Sequence, residues 1–79
     1  MNDIYTLNLL KEGEHCKVEK IFIDGMMKKR LRDIGLIEGT VVDCLKKSIS
    51  GDPVAYLIRG AVIALRSDDT SLIAVTPLK

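Results

Sequence analysis

Polar and apolar residues alternate along several short segments of this chain, and a period of two predicts β-strands. Cys16 and Val18 fall on one face of the first such segment, whereas Ile21 has the opposite parity. A bulge or strong bend near Glu19 would return both sets to one side, as small barrels often require. The predicted strands cover 15–23, 40–47, 54–59, 61–66 and 72–75.

The pattern changes period after Gly25, where Met27, Leu31 and Ile34 recur at i, i+4 and i+7. This spacing predicts an amphipathic helix over about 25–34. A helix of about ten residues does not persist alone, so its apolar stripe must pack on the strands. Two residues are expected to cap the helix: Asp24 at its start and Gly35 at its end.

Turn residues separate the remaining strands. Gly51, Asp52 and Pro53 form a turn in which glycine permits positive φ and proline suits the first residue of a strand. Gly60 is expected to turn the chain, and a helical turn is predicted near 67–71. Short strands at a spacing of roughly ten residues, with one helix, predict a mainly β fold: a small barrel of about five strands.

Length and charge limit what this chain can do. Its 79 residues predict a single domain, 1–79, without room for a deep cleft between two lobes, and this disfavours most enzymes. A hydrophobic fraction of 47% argues against disorder. Twelve Lys and Arg against eleven Asp and Glu give a net charge of +1, which is below the excess typical of dedicated nucleic-acid-binding proteins.

Four cations nevertheless lie within five residues of the predicted helix: Lys28, Lys29, Arg30 and Arg32. One interpretation is the solvated outer face of an amphipathic helix, which composition alone favours. The other is a docking patch for an acidic partner or for phosphates, because Lys28 and Arg32 share one side of a helix. Lys29 and Asp33 are expected to neutralise each other in part.

Apolar residues at both ends of the helix are expected to lie mostly in the core. Met27 belongs to the stripe, whereas Met26 is open to either interpretation. If the helix and strands leave a groove between them, Leu36 and Ile37 would lie at its end, where an apolar lining suits a partner peptide or helix.

The two cysteines and the single histidine do not predict a metal site. Cys16 and Cys44 form no CxxC pair, and a reducing cytoplasm is the expected compartment. His15 and Cys16 are strand neighbours that point to opposite faces, so they would not share one ion. Both cysteines are expected to face inward as small hydrophobic residues. Asp3 and the short apolar stretch ending at Lys11 do not resemble a signal peptide.

The acidic residues also have local explanations. Asp52 fits a turn, and Asp68 and Asp69 fit the first turn of a helix. Phosphate-loop, dinucleotide-binding and zinc-protease motifs do not occur in the sequence. We therefore expect no catalytic residue, no metal site and no cofactor.

Four sequence blocks follow one another along the chain. They are RLRDIGLIEGTVV at 30–42, SGDP at 50–53, RG at 59–60 followed by ALR at 64–66, and IAV at 73–75. In this order and at this spacing they resemble the ferrous iron transport protein A family, FeoA, over essentially the whole chain. Glu12 and Ile49 stand where that family often has proline, which loosens two loops.

The matching positions are scaffold residues at which the chain turns or pairs. They are Gly35, Gly39, Gly51, Asp52, Pro53, Gly60, Ala64, Leu65 and Arg66. The resemblance implies an SH3-like barrel that acts as a cytoplasmic, non-enzymatic accessory to FeoB, the membrane ferrous-iron transporter with a GTPase domain. It places the protein at the inner membrane through that partner. The same barrel occurs in iron-dependent repressors, but this chain has no DNA-binding helix-turn-helix region.

The leading hypothesis is an interaction module whose contact with the GTPase domain lies on the exposed side of 26–32 and the adjoining corner. Basic residues would steer and orient the partner, and apolar residues would supply contact area. The residues expected to do so are Met26, Lys28, Lys29, Arg32, Leu36 and Ile37.

Two other classes of function remain open. A nucleic-acid-binding SH3-like module would use 28–32 together with Lys46 and Lys47, although three aromatic residues are few for base stacking. A metal-sensing regulator or a GTPase-activating factor is the other possibility, in which Arg30 or Arg32 would enter the partner's active site.

Overall fold

This computed structural model describes residues 5–79. They contain six strands and two α-helices, joined by loops. The strands are β1 (Tyr5–Thr6), β2 (His15–Ile21), β3 (Val41–Lys47), β4 (Val54–Ile58), β5 (Ala61–Leu65) and β6 (Ile73–Leu78). The helices are α1 (Gly25–Asp33) and α2 (Ser67–Thr70), and a 3₁₀ helix covers Leu7–Leu9. The predicted mainly β class is confirmed. The N-terminal prediction that involved Asp3 lies outside the described residues.

All six strands lie in one antiparallel sheet, in the order β1-β6-β2-β3-β4-β5. The sheet has one strand more than the sequence predicted, because the two described residues of β1 are too few to show a period. Within residues 5–79, the outer sides of β1 and β5 have no strand partner, so the sheet is open between these two edges.

The irregularity predicted in the first strand is present. The pairing of β2 with β6 shifts register between Val18 and Lys20. This bulge explains why Val18 is buried while Ile21, on the opposite parity, also packs against the core. A second shift occurs in β3 between Cys44 and Lys46.

One hydrophobic core lies under the sheet and α1. Its members come from every strand of the sheet except β1, from α1 and from the connecting segments. The largest fully buried side chains include Leu7, Leu10, Leu31, Leu36 and Tyr56. Removing a leucine side chain from water contributes roughly 2 kcal/mol, so this cluster is the main source of stability.

The closing strand is longer than predicted. It was predicted to end at Val75, before Pro77, but β6 continues to Leu78. Its outer neighbour β1 pairs only with Ala74 and Val75 within the described residues, whereas β2 pairs along the whole strand. Pro77 is therefore tolerated, since it lies where β6 has a described partner on one side only.

The turn before β4 is tied to the start of α2. The Gly51 amide donates to the Ser48 carbonyl at 2.8 Å, which closes the turn. The Asp52 carboxylate then accepts hydrogen bonds from the Ser67 amide at 2.9 Å and the Ser67 hydroxyl at 3.2 Å. Asp52 is thus a structural acceptor, as its place in the turn predicted.

Of the helices within 5–79, none has the length and apolar character needed to span a membrane.

Candidate functional site

Helix α1 forms where the apolar stripe predicted it, and it presents its cations outward. Leu31 is buried, and Met27 and Ile34 pack against the core from the same face. Asp24 occupies the N-cap position but its side chain makes no capping hydrogen bond. The opposite side of the helix therefore carries the charged residues into solvent.

These cations have no carboxylate partner among the described residues. The ion pairs within 4.0 Å in residues 5–79 are His15–Asp43 and Lys17–Glu19, both on the strands. The expected neutralisation of Lys29 by Asp33 is not formed as an ion pair. An acidic surface that binds these cations does not first have to displace a carboxylate of residues 5–79 from them.

A groove with a volume of about 320 Å³ lies beside α1, and we call it the corner groove. Lys28 and Arg32, one helical turn apart, line one side of it. Its other lining residues come from the end of β2 and from the loop after α1: Ile21, Leu36, Ile37 and Glu38. Two cations thus stand beside an apolar floor, with one carboxylate at the rim.

Thr40 fixes the loop that forms this corner. Its side chain is 6% exposed, and its hydroxyl donates to the Gly35 carbonyl at 2.8 Å while it accepts from the Ile37 amide at 3.2 Å. The loop also pairs with β2, because the Gly39 amide donates to the Val18 carbonyl at 2.7 Å. Ile37, which is 44% exposed, is therefore presented from a backbone whose polar groups are already bonded.

Gly35 sets the angle between α1 and this loop. Its φ is +94°, and the Leu36 amide donates to the Leu31 carbonyl at 2.9 Å while the Gly35 amide donates to Arg32 at 3.0 Å. This is a Schellman cap, and the apolar contact that accompanies it joins the buried Leu31 and Leu36. The Arg59 side chain lies over Gly35, so a Cβ there would meet its Cγ at 2.6 Å.

The sequence of the chain matches a known family almost from end to end. The model of the FeoA domain matches residues 5–77. The chain belongs to the FeoA domain family. No curated protein sequence matches it.

Solved structures of FeoA proteins share the fold. The FeoA protein from Chlorobium tepidum superposes with a TM-score of 0.90 at 27% identity, over 95% of this chain and 71% of that one. A FeoA-like protein from Clostridium acetobutylicum gives 0.86 at 28% identity, over 100% and 92%. The zinc-bound FeoA of Stenotrophomonas maltophilia, described as an SH3 domain protein, gives 0.82 at 22% identity, over 95% and 96%. The predicted SH3-like fold is confirmed.

In this FeoA chain, the structure divides the six predicted contact residues. Lys28, Arg32, Leu36 and Ile37 meet at the corner groove. Leu36 has no exposed surface, so it offers a partner no free contact area. It belongs to the core and supports the wall of the groove from behind. Met26 and Lys29 do not line the groove. Met26 is 80% exposed on the far side of the helix.

Two groove residues were missed by the sequence analysis. Ile21 showed a signal, because its parity disagreed with that of Cys16 and Val18 in the same strand. The bulge turns it toward α1 rather than fully into the core. Glu38 gave no signal, since a single acidic residue in a loop has no pattern around it.

The basic residues of the nucleic-acid alternative do not join α1 in one groove. Lys46 and Lys47 line a separate groove with a volume of about 240 Å³ between β3, β4 and the following turn. Neither of them lines the corner groove with Lys28 and Arg32. The basic residues of this alternative are therefore divided between separate grooves, whereas a nucleic acid backbone favours one continuous basic groove.

The cysteines of this FeoA chain are buried and protonated. Burial raises the pKa of the Cys16 thiol to about 11 and also raises the pKa of Cys44. Burial therefore disfavours the thiolate, which is the form that binds metals. His15 lies on the other face, with Nδ1 4.0 Å from the Asp43 carboxylate. In residues 5–79, no three His, Cys, Asp or Glu side chains are close enough to hold an ion.

Proposed function

We propose that this chain is a non-enzymatic cytoplasmic accessory protein for ferrous iron uptake. In this proposal it binds the GTPase domain of a FeoB-type membrane transporter and modulates it, and it reaches the membrane through that partner. Membership of the FeoA family supports the link to iron transport. Since a fold alone does not imply an activity, the proposal rests on this family link and on the surface beside α1.

The corner groove is the observation that carries the proposal. It combines Lys28 and Arg32, two cations without an ion-pair partner in residues 5–79, with the exposed side chain of Ile37. Cations at a rim accelerate the approach of an acidic surface, and a rigid apolar neighbour supplies affinity once that surface arrives. The partner surface that fits is therefore an acidic one with an apolar side chain between its carboxylates.

A double charge reversal, Lys28→Glu with Arg32→Glu, tests the site. Binding to the purified GTPase domain is measured by calorimetry at two salt concentrations. We expect the dissociation constant to rise by about tenfold or more, since two favourable charge contacts become repulsive. The salt dependence of the binding should decrease as well.

Lys46→Glu with Lys47→Glu is the matched control, because it makes the same change of charge on β3. It should alter the dissociation constant far less. Equal losses of affinity in the two variants would mean that net charge, and not this site, controls binding. Unchanged binding of the first variant would mean that the corner groove is not part of the interface.

A further inference from the structure

Strand β5 is an edge strand that lacks the usual protection. Its five residues, Ala61–Leu65, carry no charge and no proline, and they pair with β4 without a register shift. Its outer side has no strand partner within the described residues. Val62 is 65% exposed. Edge strands normally avoid further pairing through charges, prolines, bulges or a short length.

A groove with a volume of about 300 Å³ adjoins this edge, and we call it the edge groove. β5 lines it with Ile63, Ala64 and Leu65, and α1 faces them with Met27 and Ile34. No residue of β4 is among its lining, so the groove adjoins β5 and not the pair of β4 and β5. A chain placed there finds unpaired backbone groups on one side and an apolar pocket under it.

The charges at the rim indicate what such a chain carries. Arg30 and Arg66 both line the edge groove, and Asp69 is the acidic residue among its lining. Neither arginine has a carboxylate within 4.0 Å in the part of the chain that the structure describes. The excess of positive charge favours acidic residues in the occupant.

These features favour a separate peptide segment over a second copy of the chain. A second copy would bring one carboxylate, Asp69, for every two arginines of its own, whereas an acidic segment would offset the arginines without adding any. It would also bring a second α1 beside the same edge. A single extended segment has neither difficulty.

We propose that the edge groove binds one extended segment of a partner protein as an additional strand on β5. The segment places an apolar side chain between α1 and β5 and acidic side chains near Arg30 and Arg66. Main-chain hydrogen bonds supply affinity and the pocket supplies selectivity, as in other cases of strand addition. The segment is about five residues long, matching the roughly 17 Å length of β5. This site uses the other flank of α1 and does not depend on the corner groove.

The test uses a synthetic peptide, acetyl-Ser-Glu-Thr-Ile-Thr-Glu-Ser-amide, titrated into the isotopically labelled full chain and followed by amide chemical shifts. We expect saturable shifts in 61–66 and along the β5 side of α1. The same peptide with lysine in place of both glutamates should bind about tenfold more weakly. Arg30→Glu with Arg66→Glu should reverse that preference, whereas Lys46→Glu with Lys47→Glu should leave it unchanged.

Backbone methylation distinguishes strand addition from simple charge attraction. Alternate amides of a strand point to opposite sides, so methylating one alternate set should abolish binding and methylating the other should not. Equal effects of the two sets, or shifts away from β5, would overturn the proposal. Shifts of 61–65 that depend on protein concentration without peptide would assign the edge to a second copy, and would overturn it too.

Discussion

The two flanks of α1 offer a partner different chemical groups. On one flank, the corner groove presents the side chains of Lys28, Arg32 and Ile37 above a loop whose backbone groups are bonded to Thr40 and β2. On the other flank, the edge groove presents an apolar strand whose outer side is unpaired within the described residues. The first is suited to a folded surface, and the second to an extended segment.

This difference follows from what bounds the groove on each flank. The corner groove is closed by a helix cap and a hydrogen-bonded loop, so its geometry exists before a partner arrives and little entropy is lost on binding. No strand of residues 5–79 pairs with the outer side of β5 at the edge groove, so selectivity there depends on how the incoming backbone pairs with β5. One short helix thereby separates two modes of recognition.

The largest expected effect concerns the wall of the corner groove. Leu36→Ala should lower the free energy of unfolding by about 3 kcal/mol, because it leaves a cavity at a side chain with no exposure. Urea denaturation measures this. Ile37→Ala, at the exposed neighbouring position, should cost less than about 1 kcal/mol. A similar loss in both variants would mean that the corner is not the ordered wall described above.

The rigidity of the corner can be separated into backbone and packing contributions. Gly39 and Gly35 both have φ near +90°, but a Cβ on Gly39 meets no atom within 4 Å, whereas one on Gly35 meets the Arg59 side chain. Gly39→Ala should therefore cost about 1–2 kcal/mol from backbone strain alone. Gly35→Ala should cost about 1 kcal/mol more.

Adding Arg59→Ala to Gly35→Ala should remove that excess and leave the strain. Urea denaturation of the original chain, Gly35→Ala, Arg59→Ala and the double variant completes the cycle. If Gly39→Ala lowered the free energy of unfolding as much as Gly35→Ala, the close approach of Arg59 to Gly35 would not contribute to the cost of the substitution.

A smaller effect on the free energy of unfolding should appear at high pH. It should affect both flanks of α1 alike, because they share one core. The folded chain holds the pKa of Cys16 at about 11, above the value of 9.0 for a free thiol. Because folding raises this pKa, the protonated thiol stabilises the folded chain below pH 9. This contribution is lost as the pH rises from 9 toward 11. At pH 10 the loss is about 1.4 kcal/mol.

Cys16→Ala isolates this contribution, since alanine does not titrate. The variant should be less stable than the original chain at pH 7, but its stability should decline less between pH 8 and pH 10. Parallel declines in the two proteins would show that Cys16 is not the titrating group.

Much of the fold was predictable from local pattern. The stripe of Met27, Leu31 and Ile34 predicted α1 to within a residue, and the parity conflict at Ile21 predicted the bulge in β2. Strand β1 and the extension of β6 past Pro77 were not predictable, because pairing with distant strands, rather than local pattern, creates them.

The candidate site was predictable only in part, for a similar reason. Helical spacing alone puts Lys28 and Arg32 on one side, and the structure brings them to one groove. The same spacing does not show that Met26 and Lys29 lie outside that groove. Nor does it show that Leu36 has no free surface, because this depends on the Schellman cap and the packing behind it.

The most direct test of the central claim is a map of the contact itself. The labelled chain is titrated with an unlabelled FeoB-type GTPase domain, and amide signals are followed residue by residue. The account predicts that the shifted or broadened signals include Lys28, Arg32, Ile37 and Glu38 and that 46–49 remain unchanged. Changes confined to 46–49, or to β5 alone, would contradict the assignment of the docking surface to the corner groove.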